Sequence, residues 1–242
     1  MNENQDLKNA KKQKETHSSH SPKRRYSNFE KLSEDERKSA AEMDSVVGQS
    51  KNVQCAYTLF FQPTSLQLYI LGTHDAFGAA KFLNTVKSAT PKLLYKKLLR
   101  FVVTDNGSEF SDEDTLSKIL EEDLTEGVSL YYCNPRHAEQ KPHCEKNHSE
   151  GRQILTKGKF NFDELTNQDM RVLMSHVNSN PRRSLGGLSP IQAFLAIYGD
   201  EGAELLDAFG IEQIEADELT LTPEILNIER KKRGEKLLSY IK

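Results

Sequence analysis

The sequence predicts an α/β fold: a five-stranded mixed sheet flanked by helices, with a polar N-terminal arm and a helical C-terminal extension. Three observations predict it. Three strand-like runs follow one another early in the chain, with turn chemistry between the second and third. Two further apolar runs alternate with stretches of helical periodicity. Both ends of the chain are polar and basic.

The elements follow in order. Residues 1–38 read as a polar basic arm, too poor in apolar residues to offset the entropy of ordering, with Tyr26, Phe29 and Leu32 as candidate anchors for its end, so order is expected to begin near Ser39. Ala40–Val47, Val53–Phe61 and Leu66–Gly72 are strands, the last two joined by Gln62-Pro63-Thr64-Ser65. Residues 75–88 are helical, with Phe77, Ala80, Phe82, Leu83 and Val86 at helical spacing. Leu98–Val103 is a buried strand ending at Thr104-Asp105. Asp112–Leu124 is a helix with Leu116, Ile119, Leu120 and Leu124 on one face, and Val128–Cys133 is the fifth strand. Residues 143–157 and 167–179 are helical, and Ser189–Gly199 is a helix capped by Ser and ended by Gly. The order β-β-β-α-β-α-β-α is that of the ribonuclease-H-like fold. The chain divides into an arm (1–38), a core (39–200) and a C-terminal extension (201–242) with a basic tail.

Composition narrows the function. At 242 residues the chain holds one sizeable domain plus tails. No apolar run approaches the ~20 residues that cross a bilayer, and the N-terminus lacks an apolar signal segment. Cys55, Cys133 and Cys144 are scattered without metal-type spacing and fit a reducing cytoplasm rather than a disulfide scaffold. Net charge is -3, yet residues 1–25 and 229–242 each carry about +4, which leaves about -11 between them. A nucleic-acid partner would therefore be met by tails, local patches or another module rather than by a uniformly basic core.

Three acids stand out. Asp44 interrupts a strand whose flanks are apolar, where Asp is disfavoured. Asp105 ends a very apolar strand at an Asn-Gly turn, and catalytic groups collect at the carboxyl ends of strands in α/β sheets. Glu145 opens a helix rich in His, Lys and Asn. Each has an ordinary reading: an edge-strand acid facing water, a turn residue, and a first-turn helix acid. Their joint placement favours chemistry. In this element order the first and fourth strands are neighbours, and three convergent carboxylates persist only when divalent cations neutralise them. Mg²⁺ suits such oxygens, and two ions about 4 Å apart would serve phosphoryl transfer.

The segments EMDSVVG, VVTDNGSEFSD, YYCNPRHAEQKPHCEKNHSEGRQILTKGKFNFDELT and MSHVNSNPRRSLGGLSPIQAF resemble transposases of the insertion-sequence-thirty family, which belong to the retroviral-integrase superfamily with a DDE catalytic core. The resemblance covers Glu42 to Gly199, and the trailing FGIEQIEADELTLTPEIL also looks like that family. It implies that Asp44, Asp105 and Glu145 are the catalytic, metal-holding acids. Tyr131, Tyr132, Cys133, Asn134 and Pro135 match a family block, and Glu145 falls ten residues after Pro135 where the family has its Glu. Glu139 and Glu150 are weaker choices, one in the preceding loop and the other off the shared helix face. Three departures stand against the match. Pro142 follows Lys141 where the family has Gly. The 39 residues between Asp105 and Glu145 exceed the usual spacing. The chain begins too late to include the family's N-terminal helix-turn-helix region.

The resemblance implies metal-dependent DNA cleavage and strand transfer in transposition, with Mg²⁺ as cofactor (two ions, Mn²⁺ able to substitute). The partners are DNA, as transposon ends and target, and a second copy of the chain, with no membrane. The resemblance further implies the cytoplasm of a bacterial cell as the location, at the nucleoid when bound to DNA. Lys141, Lys146, Asn147, Arg152 and Lys157 cluster around the last acid, as phosphate contacts or as a solvated face. Arg182 and Arg183 carry the same two readings. His143 and His148 lack zinc spacing, and Ser108 lacks a base partner. The C-terminal IERKKRGEKLLSYIK is either a basic contact helix or a frayed tail. The competing expectation is a truncated, inactive remnant that binds or dimerises without catalysis.

Overall fold

The β-branched and aromatic runs do pair into one sheet. The computed structural model describes residues 20–122, 127–141 and 149–239. The strands are β1 (Ala41–Val47), β2 (Gln54–Phe61), β3 (Leu66–Thr73), β4 (Val102–Thr104) and β5 (Leu130–Tyr132). Their order across the sheet is β3-β2-β1-β4-β5, the ribonuclease-H-like arrangement. β1, β2 and β3 form the antiparallel meander, with Ala41 opposite Phe61 and Phe61 opposite Leu66. β4 and β5 then add in parallel, each reached through a helical crossover as parallel pairing demands. The mixed five-stranded sheet expected from the sequence is therefore the observed one.

Helices α1 (Tyr26–Phe29), α2 (Glu34–Ser39), α3 (Ala76–Ala89), α4 (Lys92–Leu98), α5 (Glu113–Glu121), α6 (Asn167–Ser179), α7 (Pro190–Ala208) and α8 (Glu224–Lys232) flank the sheet, and residues 149–154 are also helical. The main core lies between the sheet and α3 to α7, around Met43, Tyr57, Leu59, Leu68, Phe82 and Phe194. A smaller cluster of Phe101, Val103, Tyr131 and Cys133 on the opposite face is covered by Phe29 of α1 and by Ala40. Close approach fixes α3 against β3. Asp75 caps the helix by accepting from the Gly78 N–H at 2.7 Å, and a Cβ at Gly78 would fall 1.9 Å from the Thr73 carbonyl oxygen.

The structure departs from expectation at four places. Residues 20–39, expected as the end of a structureless arm, form short helices; Tyr26, Phe29 and Leu32 do anchor them, and residues 22–29 dock on β5. Arg24 is 3% exposed, and its guanidinium donates to Glu113 at 3.1 Å and to Glu121 at 2.6 and 2.8 Å. His20 stacks on Tyr132 with ring centroids 3.5 Å apart. A polar segment docks here because two acids on α5 meet its charge; residues 1–19 lie outside the described residues. The fourth strand is shorter than expected. Leu98 ends α4, a helix not foreseen, which buries Leu94, Tyr95 and Leu98 on one side, and Leu99 caps it. Gly199 breaks helical geometry, as expected, with φ 51° and ψ -131°, but α7 resumes beyond it to Ala208. The C-terminal extension is docked, not frayed. Arg230 of α8 is buried and holds the fully buried Asp169 of α6 through Nε at 2.9 Å and Nη2 at 2.5 Å.

Candidate functional site

The parallel register of β1 and β4 pairs Glu42 with Val103. Continued by two residues, that register sets Asp44 beside Asp105. Each acid uses one oxygen locally and directs the other at a shared nitrogen. Asp44 Oδ1 accepts from the Ser45 N–H at 2.8 Å, and Asp105 Oδ1 accepts from the Gly107 N–H at 2.9 Å. Both Oδ2 atoms face one nitrogen. Lys141 Nζ lies 3.1 Å from Asp44 Oδ2 and 3.2 Å from Asp105 Oδ2. It also donates to the Met43 carbonyl at 3.2 Å. Lys141 is 5% exposed, so this ammonium is largely withdrawn from water.

The two acids line a cleft of about 380 Å³ together with Asn106, Asn134, Arg136 and His137. Its walls are tied across strands. The Asn106 carboxamide donates to the Cys133 carbonyl at 2.6 Å, which anchors the Asp105 turn to the end of β5. Cys133 is a buried core thiol whose pKa burial pushes up to about 12, and Lys141 opposes that shift. Arg136 holds a left-handed backbone, φ 66°, at the rim of the cleft.

The structure brings Asp44, Asp105 and Lys141 together. Glu145, Lys146, Asn147, His143, His148 and Cys144 lie outside the described residues. Among the described residues no group of three or more His, Cys, Asp or Glu forms a metal site. The donor pair itself suits a cation: two carboxylate oxygens already converge on a charged nitrogen. Lys141 is turned inward onto the acids instead of out toward solvent. Arg152 is half-buried and donates to the Val47 carbonyl at 3.0 Å. Burial pushes its pKa below the ordinary value, against the pull of Tyr69 and Asp44. Lys157 is exposed. Of the loop arginines, Arg183 is exposed, whereas Arg182 is buried and bonded to Glu150 at 2.6 Å.

Sequence reasoning passed over Glu109. Its buried carboxylate accepts from the Ser45 hydroxyl at 2.5 Å and lies 3.2 Å from His74 Nε2. It also fills the space beside Gly107, where an added Cβ would fall 2.6 Å from Glu109 Oε2. One acid thus braces the neighbours of both Asp44 and Asp105. The signal was an acid beside Phe110 in a short turn, a place where an exposed charge would be unremarked.

Among the described residues no helix is long and apolar enough to cross a membrane. No protein-family model matches the chain. Over 102 residues, 42% of its length, the chain is 31% identical to the transposase for insertion sequence element IS4351 of Bacteroides fragilis, of whose length it spans 29%.

Proposed function

We propose that the chain is the catalytic core of a DDE-type transposase of the insertion-sequence-thirty kind, cutting DNA at the ends of a mobile element and joining those ends to target DNA. The observation that carries this reading is the pairing of Asp44 and Asp105 at one cleft, each with Oδ2 directed at a shared cation. The similarity to a transposase supports it.

Asp44 and Asp105 would hold Mg²⁺ or Mn²⁺, with Glu145 as the third acid. Bound divalent metal supplies Lewis-acid activation of a phosphodiester and neutralises the charge that builds on its oxygens. The Ser45 and Gly107 N–H groups hold one oxygen of each carboxylate, so the other is oriented before any ligand arrives. Glu109 ties Ser45 of β1 to the turn after β4, and Asn106 ties that turn to the end of β5. Arg136 at the cleft, with Arg152 and Lys157 beyond it, would meet DNA phosphates. The partners are element ends, target DNA and a second copy of the chain, in the bacterial cytoplasm.

The test is metal-dependent cleavage and joining of DNA bearing the element's terminal repeats. Asp44→Asn, Asp105→Asn and Glu145→Gln should each lower the rate by about 10³-fold or more while the protein stays folded. Full activity in any one of them removes that residue from the site.

A further inference from the structure

We infer that Lys141 is a built-in counter-cation for Asp44 and Asp105, and that divalent metal enters only by displacing its ammonium. This rests on the reading of those two acids as metal ligands. Three observations carry it. One nitrogen lies within 3.2 Å of both Oδ2 atoms, the two oxygens left over after each carboxylate has satisfied a backbone N–H. The same nitrogen also donates to the Met43 carbonyl at 3.2 Å, so a third oxygen, from the β1 backbone, holds it beside the acids. Lys141 is buried, which is costly for a lysine unless the charge is matched.

The consequences are electrostatic. Without a cation, two carboxylates at adjacent strand ends repel each other and spread the sheet. The ammonium offsets that repulsion and keeps both carboxylates oriented. A dication that takes the same oxygens must occupy the space the ammonium fills, and it repels the ammonium at such short range. The two occupants are therefore mutually exclusive. A lysine suits this exchange better than an arginine would. Its charge is compact, its stem is flexible, and it makes no bidentate fork with a carboxylate. Lys141 thus lowers the apparent metal affinity of the resting protein and holds the acids in place until metal arrives. It is a positioning residue in the resting state and a competitor in the loaded one.

Mn²⁺ titration of the full chain, followed by the electron paramagnetic resonance signal of free Mn²⁺, tests this on wild type, Lys141→Met, Lys141→Gln and Asp105→Asn. Either Lys141 variant should bind Mn²⁺ about tenfold more tightly than wild type, within the usual range for two competing ligands. Each should also melt lower than wild type without metal and gain more from Mn²⁺ in thermal unfolding. Equal or weaker Mn²⁺ binding by the variants, with binding still lost in Asp105→Asn, overturns the displacement and leaves the metal site standing. Unchanged binding in Asp105→Asn overturns the metal reading itself. A second measurement needs no variant: amine-reactive labelling of wild type, read by mass spectrometry. Lys141 should be protected without metal and labelled when Mn²⁺ saturates. Protection that persists at saturating Mn²⁺ overturns the proposal.

Discussion

The Arg182 guanidinium grips the Glu150 carboxylate through two contacts, at 2.6 and 2.5 Å, and joins the loop after α6 to the helical residues 149–154. Arg182 is 9% exposed, and its Nη2 also reaches the Val177 carbonyl at 3.4 Å. Burial pulls its pKa down and the Glu150 charge works against that. The pair therefore does structural work that surface phosphate contacts do not. Arg182→Ala leaves a half-buried carboxylate without its partner and should cost about 3 kcal/mol of stability. Urea unfolding measures it. The double variant Arg182→Ala, Glu150→Gln should recover part of the loss, because the uncompensated charge goes with it.

Buried histidines give the stability an acid limb. His176 of α6 is buried, and its Nδ1 accepts from the Thr220 N–H at 3.2 Å, a bond that requires an unprotonated nitrogen. Burial pushes its pKa below the ordinary 6.5; Glu229 and Glu218 favour the charged ring and Lys232 opposes it. His20 is shifted the same way by burial, against the pull of Glu113. The unfolded chain protonates first as pH falls. The contribution is thus whole above the ordinary value and is lost as pH drops below 6.5 toward the depressed folded value. Unfolding free energy measured from about pH 7.5 to 5.5 should fall, and His176→Gln should flatten the slope. An unchanged slope would place the acid limb elsewhere.

Asp169 and Arg230 join α6 to α8. Asp169 is fully buried, accepts from the Thr166 N–H and hydroxyl at 2.8 and 3.0 Å, and meets Arg233 at 3.4 Å as well. Arg230 donates further to the Glu164 and Lys236 carbonyls. Arg230→Met should cost about 3–5 kcal/mol, since a buried carboxylate loses most of its compensation. Proteolysis should then release the C-terminal extension before the sheet unfolds. Arg230→Lys should rescue little, because a lysine offers no fork for two oxygens and two carbonyls.

These pairs mark where sequence reasoning stops. The meander, α6 and the positions of Asp44 and Asp105 were legible because period and strand ends are local signals. β-branched and aromatic residues crowd Cys55–Phe61, and Thr166 with Asp169 makes a capping box before α6. Arg24, Arg182 and Arg230 read as surface charge because their partners are 89, 32 and 61 residues away in the chain. Nothing local distinguishes a buried arginine from a solvated one. Lys141 is the same case at the candidate site: its residue type suggested phosphate, whereas its neighbours in space are two acids. Helix α4 was missed because its apolar residues run directly into those of β4, and periodicity alone does not divide such a run.

Gly151 offers a final, sharper test of how the 149–154 helix is set. A Cβ at this position would fall 2.4 Å from Tyr69 Oη, and Tyr69 is 1% exposed with its hydroxyl donating to Gln67 Oε1 at 2.7 Å. Gln67 is itself held by Asn178 of α6, which accepts from its N–H and donates to its carbonyl, each at 2.8 Å. Gly151→Ala should therefore destabilise by about 1–3 kcal/mol despite the better helix propensity of alanine. Tyr69→Phe removes the obstructing oxygen at the cost of one hydrogen bond. In that background Gly151→Ala should cost less but not nothing, because the ring carbon Cζ would still lie 2.9 Å from the new Cβ. Thermal unfolding of the four proteins gives the coupling directly, and additive costs would mean that helix and strand do not meet at this contact.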